Sequence, residues 1–182
     1  MATLYQEQHR LGHPLETWGM DAHRLGLKPV LRRVWAERGQ RPIVPVQPRY
    51  EWLYSYALAD HGALVLPADT VSSAAFSIAL REFARFIGMD TQVALLLDNA
   101  GWPVSPQVVR PPHLDFYFLP AYSPELQPAE QLWPFTDTPL FNRWFATLDA
   151  LADVLADQCR WLQDQLNLIR SATLFPWWPS FA

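Results

Sequence analysis

Three carboxylates occupy positions in this sequence from which acidic side chains could act together. Asp98 directly follows Val93–Leu97, an uninterrupted apolar run that is typical of a buried strand. Asp21 lies near the end of Leu15–His23, which we also predict to be a strand, and Glu130 falls in the first turn of a predicted short helix. Ligands of open α/β sheets bind at the carboxyl ends of strands. These three side chains can therefore converge at one edge of a sheet.

A cluster made only of carboxylate oxygens suits Mg²⁺ or Mn²⁺ rather than Zn²⁺. Each member also has an ordinary structural explanation. The segment Asp98-Asn99-Ala100-Gly101 has the composition of a simple turn. Glu130 follows Pro128, which suits the first position of a helix, so its charge could only complement the helix dipole. The residues alone leave a metal site and a structural role both open.

Other candidate sites have weaker support. Three aspartates recur at every fourth residue of the last predicted helix, and we expect them to form a solvated face. They are Asp149, Asp153 and Asp157. Cys159 lies inside the apolar stripe of the same helix and is expected in the core. His23 stands two residues after Asp21 on the same strand face, where we expect it to pack beside the carboxylates. No glycine pattern typical of a phosphate-binding loop occurs in the sequence.

The elements that must position the carboxylates follow an α/β order with a mixed sheet. The predicted strands are Leu15–His23, Val30–Ala36, Tyr50–Leu58, Ala63–Leu66, Val93–Leu97 and Leu114–Leu119. The first four resemble an antiparallel meander, with a hairpin at Asp60-His61-Gly62, and the proline-containing Gln40–Pro48 should be irregular. One helix should begin after Asp69 or Thr70 and end at Gly88. A second should run from Thr147 to Arg170 with a stripe of Leu148, Leu151, Leu155, Cys159, Leu162, Leu166 and Ile169.

Composition indicates one domain without membrane helices or a disulfide framework. The chain has 182 residues, 50% of them apolar, with a single cysteine and a net charge of −4. An acidic chain should repel the phosphates of nucleic acid. The charge is unevenly placed, however, because residues 22–50 contain seven basic side chains and one acid. This basic segment is either a contact for phosphates or a strand edge protected by charge.

Three segments carry a resemblance to a known family: MDAHRLGLKPVLRRVWAERGQRP, LLLDNAGW and FLPAYSPELQPAEQLWP. In this order, over roughly residues 17–162, they resemble the catalytic domain of mariner-like transposases of the bacterial insertion-sequence branch, the DDE superfamily endonucleases. The resemblance implies a ribonuclease-H-like fold, an α/β architecture with a mixed central sheet flanked by helices. It also implies a catalytic and metal-binding triad of Asp21, Asp98 and Glu130.

The same resemblance implies two Mg²⁺ or Mn²⁺ ions, which are ~3.5–4 Å apart in sites of this kind. The implied activity is DNA phosphodiester hydrolysis at transposon ends followed by strand transfer to target DNA. Four basic residues beside the first aspartate would contact DNA phosphates. They are Arg24, Lys28, Arg32 and Arg33.

The chain departs from the family pattern at several places. Ala22 stands where many members have Glu, Pro103 where they have His, and Gln127 where they have Asn. The 31 residues between Asp98 and Glu130 are fewer than usual. Since Gln is a poor helix cap, we expect the helix that presents Glu130 to begin less firmly. These departures keep a second hypothesis open, namely a catalytically silent remnant that binds protein or DNA.

The domain organisation follows from the same comparison of segments. We expect an N-terminal extension over residues 1–14, the catalytic domain over 15–170 and an aromatic tail over 171–182. The tail either contacts a partner or packs over the chain's own core. The family places helix-turn-helix units before the catalytic domain, so we expect a separate N-terminal half or other transposase subunits to recognise the transposon ends. A bacterial cytoplasmic protein, on the nucleoid when bound to DNA, is expected.

Overall fold

One mixed sheet forms the centre of the molecule. The computed structural model describes residues 15–46, 51–59, 62–99 and 105–173. The strands are β1 (Leu15–Gly26), β2 (Trp52–Ala59), β3 (Ala63–Ala68), β4 (Gln92–Leu97) and β5 (Leu114–Phe118). Their spatial order is β3-β2-β1-β4-β5. β2 pairs antiparallel with both β1 and β3, whereas β4 pairs parallel with both β1 and β5. The predicted mixed sheet is therefore confirmed, and the predicted meander is confirmed for three of its four strands.

Helices cover both faces of this sheet. The α-helices are α1 (Ser73–Ile87), α2 (Trp133–Thr136), α3 (Leu148–Gln163) and α4 (Leu166–Thr173). Short 3₁₀ helices span Pro124–Leu126, Pro128–Leu132 and Thr138–Leu140. The second of these continues directly into α2. No helix among the described residues is long and apolar enough to cross a membrane.

Each face of the sheet has its own hydrophobic core, because side chains alternate along β1. Trp18 and Met20 belong to one core together with Phe76 of α1 and three residues of β4, namely Val93, Leu95 and Leu97. Leu25 belongs to the other core, which contains Leu132 and the apolar stripe of α3. Asp21 and Leu25 are an even number of positions apart on β1, so their side chains lie on the same face of the sheet. The strand therefore presents this aspartate to the face that the 3₁₀ helices cover.

β1 is longer than predicted, since it continues past His23 to Gly26. Its parallel pairing with β4 ends at Met20, whereas its antiparallel pairing with β2 goes on until Gly26 meets Trp52. Hydrogen bonds along one edge therefore keep the strand extended beyond Asp21. This aspartate lies where the parallel half of the ladder ends, rather than where the strand ends.

The predicted strand Val30–Ala36 is wrong. Val30 forms only an isolated bridge to Phe141, and the following residues have no regular structure. Because Leu31 and Val34 are exposed along with the arginines between them, this segment has no buried face on which a sheet could form. Residues 40–46 are irregular, as their prolines predict.

The ends of α1 were predicted in part. Ser72 is the N-cap, in place of Asp69 or Thr70, and its Oγ accepts a hydrogen bond of 3.1 Å from the backbone N–H of Ala75. Gly88 ends the helix as predicted, with φ of 90° and its N–H donating to the Ala84 carbonyl at 3.0 Å. The left-handed φ is the conformation that glycine adopts without strain.

The single long C-terminal helix is also wrong, because it is broken after Gln163. Asp164 and Gln165 donate backbone hydrogen bonds to Trp161 and Leu162, which tightens the last turn of α3. Gln163 accepts a hydrogen bond of 2.8 Å from Val65 N, so the end of α3 is held on β3.

The break changes one member of the predicted stripe. Leu166 begins α4 with its side chain 49% exposed, whereas Ile169 is fully buried. Cys159 lies in the core as expected. Residues 1–14, 47–50, 60–61, 100–104 and 174–182 lie outside the described residues, and with them most of the aromatic tail, the hairpin turn and Pro103.

Candidate active site

Two of the predicted carboxylates are neighbours at one edge of the parallel half of the sheet. The β1–β4 ladder ends where Met20 pairs with Leu97, so Asp21 and Asp98 are the next residues on adjacent strands. Both line a cleft of about 350 Å³, and Glu130 lines it with them. The structure therefore brings the three predicted side chains to one cleft.

Gly19 allows the segment that carries Glu130 to lie directly on β1. A Cβ atom on this glycine would stand 2.5 Å from Oε1 of Gln127 and 2.6 Å from Cδ of Pro128. Those distances are too short for any other residue without a shift of the chain. Pro128 starts the 3₁₀ helix that contains Glu130, as predicted. The absence of a side chain at Gly19 thus sets how near Glu130 comes to Asp21.

Gln127 holds the same segment from its other side. Its amide Nε2 donates a hydrogen bond of 3.0 Å to the carbonyl of Met20, and the side chain is buried. It makes no side-chain cap of the 3₁₀ helix, as expected for Gln. Its contact with β1 replaces that cap, so the start of the helix is held by tertiary contact. The sequence reasoning missed this role.

Burial and mutual repulsion both act on the carboxylates. The pKa of Asp21 is raised to about 6, chiefly by burial and further by the negative charges of Glu130 and Asp98. Hydrogen bonds from the Ala22 backbone N–H and the Trp133 side chain oppose that rise. The pKa of Glu130 is raised by burial and by Asp98, while His23 lowers it. Each acid therefore acts electrostatically on another member of the cluster.

A chain of ring contacts supports the Asp21 carboxylate. Nε1 of Trp133 donates a hydrogen bond of 3.1 Å to Oδ2 of Asp21. The His23 ring stacks on Trp133 with centroids 4.7 Å apart, and its Nε2 lies 2.9 Å from Oδ1 of Asp137. His23 thus packs beside the site, as its strand face predicts. The spacing Glu130-x-x-Trp133 could have indicated Trp133, because residues three apart share one side of a helix.

The four basic residues proposed to contact DNA do not line the cleft. Arg24 stacks on Trp52 at 4.4 Å and points to the sheet face opposite Asp21. Arg32 stacks on Phe141 at 4.5 Å, and Lys28 and Arg33 are exposed. The last three belong to residues 28–46, a segment that leaves β1 beyond the cleft. They form a separate basic surface.

Asn142 fixes the beginning of this basic segment. Its side chain accepts a hydrogen bond from the Arg32 backbone N–H at 3.0 Å and donates one to the Arg32 carbonyl at 3.1 Å. Its own backbone N–H donates to the carbonyl of Val30.

The exposed Asp149, Asp153 and Asp157 lie on α3 as a solvated face, as predicted.

The donor set of the cleft fits a hard divalent cation. Asp21, Asp98 and Glu130 offer only carboxylate oxygens, which Mg²⁺ and Mn²⁺ prefer. Within the described ranges, neither Asp21 nor Glu130 forms a salt bridge with Lys or Arg that would relieve its burial. No group of three His, Cys, Asp or Glu side chains in those ranges meets the geometry of a ready-made metal centre. The fit is therefore one of chemistry and charge, without a closed cage of ligands.

The sheet order, the crossover through α1 and the acidic cleft define a ribonuclease-H-like domain. A family model described as DDE superfamily endonuclease matches residues 16–152. The chain belongs to this family, and the resemblance noted in the sequence is confirmed. An uncharacterized protein of Sinorhizobium fredii, y4pE/y4sA, is 37% identical over 116 residues, which cover 63% of this chain and 84% of that protein.

Solved structures of the Mos1 mariner transposase share the fold. The catalytic domain of Mos1 matches with a TM-score of 0.52 and 15% identity over 96% of this chain and 91% of that chain. The Mos1 paired-end complex with the left transposon end matches with a TM-score of 0.55 and 16% identity, over 94% of this chain and 59% of that chain. The Mos1 paired-end complex with Mn matches with a TM-score of 0.56 and 16% identity, over 96% of this chain and 60% of that chain. This chain thus spans about three fifths of the transposase in those complexes, and the likeness confirms the predicted ribonuclease-H-like fold.

Proposed function

We propose that this chain is the catalytic domain of a transposase that hydrolyses DNA phosphodiester bonds at transposon ends and joins those ends to target DNA. The observation that carries the proposal is the meeting of Asp21, Asp98 and Glu130 in one cleft of a DDE superfamily endonuclease. Asp21 lies inside β1, Asp98 follows β4 and Glu130 lies in a 3₁₀ helix, and the fold has no structural need to bring these three acids together. Burial and neighbouring negative charge raise the pKa values of Asp21 and Glu130, which favours a site for a positively charged ligand.

Asp21, Asp98 and Glu130 would hold two Mg²⁺ or Mn²⁺ ions. Such ions lower the pKa of an attacking water or 3′-hydroxyl and stabilise negative charge on the leaving oxygen. The chain's own contribution is placement. Gly19 and Gln127 hold the Glu130 segment on β1, and Trp133 orients the Asp21 carboxylate by its N–H. The Mos1 complex with Mn supports this choice of cation.

DNA would be the substrate, both as transposon end and as target. The Mos1 complex with a transposon end supports this partner for the shared fold. Arg24, Lys28, Arg32 and Arg33 would contact phosphates outside the cleft, because guanidinium groups bind phosphate through paired hydrogen bonds. The basic surface faces solvent beside β1, where flanking DNA could lie. A separate helix-turn-helix half or other transposase subunits would recognise the ends, and the complex would act in the bacterial cytoplasm on the nucleoid.

The division of the chain belongs to the same proposal. Residues 1–14 would form an extension, 15–170 the catalytic domain and 171–182 an aromatic tail. Helix α4 continues to Thr173, so it includes the first three residues assigned to the tail.

Cleavage of branched or nicked DNA in the presence of Mn²⁺ tests the proposal. The purified chain should nick such a substrate, and Asp98→Asn should abolish the activity because a neutral amide is a poorer ligand than a carboxylate. Asp149→Asn is the matched control, because it removes one exposed acid from α3 and changes the net charge by the same amount as Asp98→Asn. Wild type and Asp149→Asn should cleave alike.

Metal titration separates catalysis from mere retention of the fold. Isothermal titration with Mn²⁺ should show weaker binding after Glu130→Gln than in the wild type or in Asp149→Asn. If the wild type, Asp98→Asn, Glu130→Gln and Asp149→Asn all cleave equally, the activity comes from a contaminant and the proposal fails. If none cleaves and none binds Mn²⁺, the chain is a silent module that keeps the fold.

A further inference from the structure

Tyr122 adopts a backbone conformation that its side chain does not favour. Its φ is +60°, in the left-handed region where Cβ crowds the following carbonyl. Asn142 has the only other positive φ among non-glycine residues in the described ranges. For Asn142 the reason is local, since Asn tolerates this region and its side chain bonds both backbone groups of Arg32. Tyr122 requires a different explanation.

The conformation of Tyr122 places its ring entirely in solvent. The residue is 101% exposed, so the aromatic ring contributes no buried area to the fold. An exposed ring on a strained backbone stabilises nothing in the isolated chain. Strained residues of this kind cluster at ligand sites, where the surrounding structure holds them in place.

The loop that carries Tyr122 is firmly held. Leu119 donates its backbone N–H to Leu97 at 2.8 Å, and its carbonyl accepts a hydrogen bond of 2.8 Å from Nδ2 of Asn99. Pro120 and Pro124 restrict the backbone on both sides of the tyrosine. The ring therefore projects from a fixed platform that is anchored next to Asp98.

The cleft has two chemically different parts. Its floor contains Asp21, Asp98 and Glu130, and its rim contains Tyr122 together with apolar neighbours. Those neighbours are Leu119, Pro120, Ala121 and Pro124. A nucleotide has the same division, with a charged phosphate on one side and a flat, largely apolar base on the other. A phosphate at the floor would place an adjoining base at the rim.

We infer that the Tyr122 ring is a stacking platform for an unpaired nucleobase next to the phosphate that the three carboxylates address. The inference rests on the proposed function and adds a subsite to it. Aromatic side chains bind unstacked bases by their π faces without reading the sequence. Stacking is also uncharged, so it strengthens the hold on DNA in a cleft whose floor repels phosphate until cations are present.

The test compares two forked DNA duplexes that differ at one position. The first has an unpaired 2-aminopurine at the junction, and the second has an abasic site there. Binding is measured by anisotropy with Ca²⁺ present, so that cleavage does not change the DNA during the measurement. Because one stacked base contributes ~1–3 kcal/mol, the wild type should prefer the base by about tenfold and quench its fluorescence.

Four variants show what causes the preference. Tyr122→Ala should lose the preference and the quenching, Tyr122→Phe should keep both, and the control Trp161→Ala should match the wild type. Trp161 is a partly exposed aromatic of α3 outside the cleft. Tyr122→Gly should fold at least as stably as the wild type, since glycine relieves the left-handed strain. Because Tyr122→Gly also removes the ring, a stable Tyr122→Gly without the base preference excludes misfolding as the cause of that loss.

The outcomes separate this inference from the proposed function. If the wild type cleaves DNA but Tyr122→Ala still prefers the base, stacking at this residue is refuted and the transposase proposal stands. If Tyr122→Phe behaves like Tyr122→Ala, the hydroxyl makes the contact and the platform is refuted. If the wild type neither binds nor cleaves any fork, both proposals fall.

Discussion

Asp21→Asn should stabilise the metal-free protein at neutral pH. In the wild type, the carboxylate of Asp21 is buried beside Glu130 and Asp98, and its pKa is raised from 3.8 to about 6. The amide of Asn carries no charge and has nearly the same shape. Its oxygen can still accept the hydrogen bond that Trp133 donates at 3.1 Å. The substitution therefore removes the desolvated charge while keeping the packing.

The magnitude follows from the rise in pKa. At about 1.4 kcal/mol per pKa unit, a rise from 3.8 to about 6 corresponds to about 3 kcal/mol. Because the folded state holds this proton more tightly than the unfolded state, the wild type loses stability as pH rises from about 4 through 6. Asp21→Asn should therefore unfold with a free energy about 3 kcal/mol larger above pH 7, and this gain should vanish near pH 4.

Thermal and urea unfolding in EDTA measure the effect. For a chain of this size about 3 kcal/mol corresponds to roughly 6–12 °C in melting temperature. The difference between wild type and Asp21→Asn should be recorded from pH 4 to pH 8, so that the titration of other groups cancels. Adding Mg²⁺ or Mn²⁺ should raise the melting temperature of the wild type and leave Asp21→Asn nearly unchanged.

Asp149→Asn provides the control, because this acid is exposed on α3 and should show no such dependence. An equal or lower melting temperature for Asp21→Asn at pH 7–8 would refute the reasoning. So would a gain in stability that stays constant down to pH 4, since that result would trace the effect to packing rather than to charge.

Further substitutions test the supports of the site. Trp133→Phe keeps an aromatic ring beside His23 but removes the N–H that lowers the pKa of Asp21, so the lower limb of the pH–rate profile for Mn²⁺-dependent cleavage should move to higher pH. Gly19→Ala should reduce the free energy of unfolding by about 1–3 kcal/mol in urea titrations and weaken Mn²⁺ binding, because its Cβ would displace the Gln127 segment. Ser72→Ala should cost about 1 kcal/mol by the same unfolding assay through loss of the α1 cap, with no change in cleavage.

Local sequence signals predicted the elements that carry the acids. The unbroken apolar run before Asp98 corresponds to β4, and the predicted strand Leu15–His23 forms the first part of β1. Pro128 marked the beginning of the 3₁₀ helix that holds Glu130. These signals are read from side-chain type and spacing within a few residues. They suffice to say that each acid lies at a place from which it can face a shared edge.

Tertiary contacts explain what the sequence reasoning got wrong. Val30–Ala36 has the residue types of a strand but no neighbouring strand to bond with, apart from one bridge at Phe141. The C-terminal helix breaks where Gln163 is held by β3, a contact that no helical periodicity reveals. The N-cap of α1 was misplaced by two or three residues, because several consecutive residues can serve as caps.

The supports of the site were missed for a similar reason. Gln127 was judged only as a helix cap, a role in which Gln is weak, whereas its amide bonds to β1 across 107 positions of sequence. The role of Gly19 depends on Pro128, which lies against it in the fold. Interactions between residues so distant in sequence leave no local pattern.

The energetic costs of this fold coincide at the cleft, and they arise from unrelated physics. Asp21 and Glu130 are desolvated charges with raised pKa values, and Tyr122 is a strained backbone with a ring in solvent. Outside the cleft the described chain has two separate cores, capped helices and a solvated acidic face, and its remaining buried polar atoms without a hydrogen-bond partner belong to Thr17 and His113. Cations at the acids and a base on the ring would each offset one of these costs. Because a module that only kept the fold would gain from losing both, their occurrence in a single cleft favours a domain built to bind a metal–nucleotide ligand over a silent remnant.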